Sequence, residues 1–105
     1  MCDTRTLSSR NSVCVSHCVG CKFIYLWHNN LIMNFTPEQF HSFRNLISGY
    51  DFDEGAVPFP DGAERIMVRM PSKDISMAFM EEEWERLKEV VEEALYMREV
   101  YELLG

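Results

Sequence analysis

At 105 residues, with 47% hydrophobic and 26% charged side chains, the chain is the size of one domain that can bury a core without disulfides or a metal. Its net charge of −7 comes without a run of Lys and Arg, which argues against nucleic-acid binding and against an anionic membrane surface. No stretch approaches the ~20 apolar residues that span a bilayer, and residues 1–12 lack a signal-type apolar segment, so the expected compartment is the cytosol.

Residues 1–11 are polar and without periodicity, and are expected to be loose; residues 12–105 form the domain. Ser12 to Cys18 alternates as a strand does, with Val13 and Val15 on one face and Cys14, Ser16 and Cys18 on the other. Val19-Gly20 is a turn, and Lys22 to Trp27, dense in aromatic and β-branched residues, is a second strand. His28-Asn29-Asn30 has hairpin-turn chemistry, because Asn tolerates the left-handed conformation. Leu31 to Phe35 is a third strand, with Leu31, Met33 and Phe35 facing inward.

A helix start follows with all its local signals. Thr36 is the N-cap, Pro37 takes the first helical position, Gln39 completes a capping box, and Phe35 and Phe40 form a hydrophobic staple. Phe40, Phe43, Leu46 and Ile47 make the buried face, and Gly49 ends the helix. Tyr50 to Gly62 is irregular. Its Asp51, Asp53 and Glu54 do not make an EF-hand, since Ala56 and Gly62 stand where that loop needs Gly and Glu.

Arg65 to Met70 alternates again, with Ile66, Val68 and Met70 inward, and Pro71-Ser72-Lys73-Asp74 is a turn. A last strand carries Ile75, Met77 and Phe79 inward and runs into a long amphipathic helix, Glu81 to Leu104. Its apolar seam is Leu87, Val90, Ala94, Met97, Tyr101 and Leu104, widened by Trp84, Val91, Leu95 and Val100. The opposite face is acidic: residues 81–105 hold three cations against nine carboxylates, while residues 1–80 are nearly neutral with seven against eight.

A shift of 44 residues lays Leu31–Ile47 on Ile75–Val91 with apolar residues matched at each core position, which suggests a repeated strand–strand–helix unit. The expected fold is therefore α+β: an antiparallel sheet of about five strands in the order β-β-β-α-β-β-α, both helices on one face. The uncovered face would carry Ile24, Leu26, Ile32, Asn34, Met67, Arg69, Ser76 and Ala78. That set is apolar enough to invite a protein partner or a second subunit.

The sequence offers one candidate chemical site. Cys14, Cys18 and Cys21 are spaced C-x3-C-x2-C, with His17 between them and His28 downstream. The spacing is similar to that of radical S-adenosylmethionine enzymes, but Gly20 replaces their aromatic residue and the chain is too short for their barrel. Cys18-Val19-Gly20-Cys21 is similar to half of a zinc ribbon, yet a structural zinc needs four ligands and a second C-x2-C is absent. Cys14 stands ~13 Å from Cys18 along an extended strand, leaving His17 and His28 to complete a site only if the hairpin bends. Structural thiols are the simpler reading, with zinc a possible ligand.

No nucleophile–base pair, phosphate-binding glycine loop or H-E-x-x-H motif is present. The Cys18/Cys21 turn, the His-Asn-Asn hairpin, the Asn34–Phe40 helix start and the Glu83–Leu87 segment together resemble a family of small bacterial proteins of unassigned function, over about residues 12–104. That resemblance implies no activity, cofactor or site. The expected role is a small non-enzymatic interaction or accessory module, acting through a protein partner or self-association. The alternative is a zinc- or thiol-dependent protein built on Cys18 and Cys21.

Overall fold

The computed structural model describes residues 3–70 and 74–104. The α+β class holds. Strands β1 (Thr4–Arg10), β2 (Val13–Cys18), β3 (Ile24–His28) and β4 (Leu31–Phe35) precede helix α1 (Pro37–Ser48) and the short α2 (Phe52–Gly55). Strands β5 (Ala56–Pro58), β6 (Glu64–Arg69) and β7 (Ser76–Phe79) then lead into α3 (Glu81–Leu104). Two antiparallel sheets result, ordered β1-β2-β3-β4 and β5-β6-β7. The turn expected at Pro71–Asp74 lies, apart from Asp74, outside the described residues.

The helix starts follow local chemistry. Thr36 Oγ1 accepts from the Gln39 backbone N–H at 3.1 Å, and Gln39 Oε1 accepts from the Thr36 N–H at 2.9 Å, so two donors that a helix end leaves unpaired are satisfied. At α3 the same reach-back occurs between Glu83 Oε1 and the Met80 N–H, at 2.8 Å. The staple pair also appears twice: Phe35 meets Phe40 at 5.6 Å between ring centroids, and Phe79 meets Trp84 at 5.8 Å.

Helix α3 covers strands of both sheets. Trp84, Leu87, Val90, Val91 and Ala94 on it are fully buried, against a core that includes Val13, Val15, Ile24, Leu26, Phe35, Phe40, Ile47 and Phe79. Each large side chain so buried contributes about 1.5–3 kcal/mol by transfer from water. The acidic face is less bare than its sequence suggests. Arg10 of β1 reaches Glu93 at 2.7 Å, and Arg44 of α1 pairs with Glu92. Both pairs are exposed to water and add little energy, but they tie α3 to its neighbours.

The fold departs from the sequence reading at several points. Residues 1–11, expected to be loose, include the edge strand β1, which pairs with β2 from Thr4↔Cys18 to Arg10↔Val13. A bulge between Thr6 and Ser8 breaks its alternation, and it sends only Leu7 and Ser8 into the interior. Ser8 Oγ donates to the Val90 carbonyl of α3 at 2.6 Å, so a polar residue does the work of an apolar one there. The single sheet of about five strands is replaced by ladders of four and three, because a hydrophobic pattern fixes which face turns inward but not which edges pair.

Ile24 and Leu26, placed by sequence on the uncovered face, are buried beneath the helices. Their register partners Phe35 and Met33 share that inner face. Phe23, Tyr25 and Trp27 form an alternation just as apolar, so the parity of β3 was ambiguous from side-chain type alone. Leu46 and Ile75, expected inside, are both exposed.

Candidate functional site

The β2–β3 connection builds the cysteine turn. Lys22 adopts a left-handed backbone (φ 67°), and the Cys18 N–H donates to the Phe23 carbonyl at 2.9 Å. This folds Cys21 back so that its N–H donates to Cys18 Sγ at 3.1 Å. Cys18 is buried under its own turn, Cys21 is exposed with Sγ 4.0 Å from the Tyr25 hydroxyl, and Cys14 is half-buried.

The histidines do not join them. His17 projects to the inner face, where its ring lies 6.2 Å from that of Tyr101 on α3, while strand alternation sends Cys14 and Cys18 to the outer face. His28 pairs with Val13 at the opposite end of the β2–β3 hairpin. The fold brings Cys18 and Cys21 together, pairs Cys14 with Trp27 across the sheet, and sets the His17 ring beside Tyr101. Among the described residues no group of three or more His, Cys, Asp or Glu side chains is arranged to hold a metal ion.

Both histidines are held below their ordinary pKa of 6.5. For His17 the cause is burial, reinforced by the charges of Arg5 and Arg98 and opposed by Glu102. For His28, packed edge-on against Phe79 at 5.0 Å, burial outweighs the attraction of Glu83, and Arg86 pushes the same way as burial. Each is therefore neutral in the folded state at pH values where the unfolded chain already takes up a proton. Stability is fully present above about pH 6.5 and declines as pH falls through the lowered folded values. Urea melts from neutral pH down to the onset of carboxylate protonation should show this loss, with a shallower slope in a variant carrying His17→Gln and His28→Gln. An unchanged slope would place the titration elsewhere.

The outer face of the four-stranded sheet is the other candidate. The register aligns Ser9, Cys14, Trp27 and Ile32 in one cross-strand row, and Thr6, Ser16, Tyr25 and Asn34 in the next. Neither row holds a charge. Trp27 is 45% exposed and its direct neighbour Ile32 49%. A Trp–Ile pair in water is unusual in a sheet whose other side is already a packed core. The sequence reading placed Ile32 here but missed Trp27. The signal was available, because a two-residue turn at Asn29-Asn30 makes His28 oppose Leu31 and hence Trp27 oppose Ile32.

No helix among the described residues is long and apolar enough to cross a membrane. A family model described as a family of unknown function (DUF6686) matches residues 1–103. No curated protein and no solved structure matches the chain.

Proposed function

The chain belongs to this family of unknown function, and we propose that it is a non-enzymatic cytosolic interaction module that pairs with a second copy of itself through the outer face of its four-stranded sheet. The observation that carries this reading is the charge-free pair of rows centred on Trp27 and Ile32. A two-fold interface sets the same patch against itself, so any uncompensated charge on it would face its own copy. The sheet face escapes that repulsion. Helix α3, with nine carboxylates against three cations in residues 81–105, does not. We also read the two strand–strand–helix units as copies of one pattern, supported by the recurring staple and reach-back contacts.

Sedimentation equilibrium over a micromolar concentration series should give a dimer. Replacing both Trp27 and Ile32 by Lys should give a monomer whose stability stays within about 1 kcal/mol of the parent, since both side chains are half exposed. A parent that stays monomeric, or a folded double variant that still dimerises, overturns the reading. One observation favours a zinc- or thiol-dependent protein instead: the turn folds the Cys21 N–H onto Cys18 Sγ and so brings the two cysteines together. Stoichiometric zinc in purified protein, lost in Cys18→Ser, would put that reading first.

A further inference from the structure

Where β1 begins, β2 ends and α3 makes its last turns, the fold leaves a cleft of about 440 Å³. That is within the range of small-molecule sites. Arg5, Lys22 and Arg98 line it, three of the chain's ten Lys and Arg residues, against one carboxylate among the described residues, Glu102. The chain as a whole carries −7, so the cleft is a local reversal of sign.

The cations are positioned rather than scattered. The Arg5 guanidinium carbon lies 4.2 Å from the Tyr101 ring centroid. Stacking occupies the flat face of a guanidinium and leaves its N–H edge open to a bidentate acceptor. The Arg98 side chain is 19% exposed and is steadied by Glu102 at 3.4 Å. His17 completes the lining. Its Nε2 is buried and has no hydrogen-bond partner among the described residues, a costly state for a polar atom. The negative end of α3 opposes an anion here, but it amounts to about half a charge.

We propose that this cleft binds a phosphate-type oxyanion, gripped by Arg5 and Arg98 and bonded by the Nε2–H of His17. The ligand supplies the acceptor that His17 lacks and offsets the two guanidinium charges that face it. The same chemistry is offered by a soluble phosphate or phosphomonoester and by a phosphatidate headgroup.

Histidine-ring NMR of the full chain, titrated with inorganic phosphate against chloride at matched ionic strength, tests the proposal. The expected result is a saturable shift of the His17 ring signals, with its titration moved to higher pH. Arg5→Gln and Arg98→Gln should each weaken binding about tenfold, the loss of one charge-assisted contact. Arg44→Gln, a cation outside the cleft, should leave it unchanged. Cosedimentation with phosphatidate vesicles, lost in Arg5→Gln, would identify a headgroup; saturation by phosphate without cosedimentation identifies a soluble ligand. A shift that chloride reproduces, or full affinity in a folded Arg5→Gln, Arg98→Gln double variant, overturns the proposal.

Discussion

Replacing Trp84 by Ala is expected to cost roughly 3–5 kcal/mol, a large part of the ~5–15 kcal/mol that holds a typical domain together. The indole is wholly buried between α3 and the rest of the core. Its ring lies 5.8 Å from that of Phe79, and its Nε1–H donates to the Tyr50 carbonyl at 3.3 Å. Losing that hydrogen bond is the smaller effect, because Lys88 Nζ donates to the same carbonyl at 3.2 Å and would keep it satisfied. The cost is the cavity. Glu85→Ala, one residue along on the exposed side, should change stability by less than ~0.5 kcal/mol. Urea melts of both variants beside the parent give the comparison. Equal costs would mean that α3 turns a different face to the core.

Phe79→Ala should cost about as much, ~3–5 kcal/mol, for a different reason. Phe79 ends β7 and is fully buried, with the Trp84 ring on one side and the edge-on His28 ring of the first sheet on another. It is therefore a joint between the two sheets and the helix. Cutting both Phe79 and Trp84 should cost less than the sum of the single changes, since the two cavities merge and the ring contact, worth ~0.5–1.5 kcal/mol, is counted twice. Opening the Phe79 site should also let water reach His28 and return its titration toward ordinary values. Additive costs to within ~0.5 kcal/mol would show that the rings act independently.

Features set by nearby residues were legible in the sequence. Thr36-Pro37-Glu38-Gln39 specifies its own helix start, and the buried stripe of α3 follows from spacing alone. What escaped depended on partners distant in the chain. Strand β1 reads as loose because its polar residues gain a place only once β2 and α3 are beside it. His28 looks like an exposed turn residue, yet Phe79 buries it. The cysteine spacing was legible, but the fold of the turn that sets the Cys21 N–H on Cys18 Sγ was not. The cationic cleft was invisible: Arg5, Lys22 and Arg98 are isolated in sequence and converge only in the fold.

The bond from Ser8 to Val90 closes a loop 82 residues apart, and it ties the first strand to the last helix. At ~5–20 residues per second, a ribosome needs roughly 4–16 s to travel that distance. During this interval the first hairpins and α1 can form locally, but the sheet lacks the cover that α3 gives to β1 and β2. Folding must therefore wait for α3, and the high sequence separation of its contacts favours a slow final step. A nascent chain paused before Ala94 presents an open apolar sheet, the kind of surface that holdase chaperones bind and that aggregates when none is near.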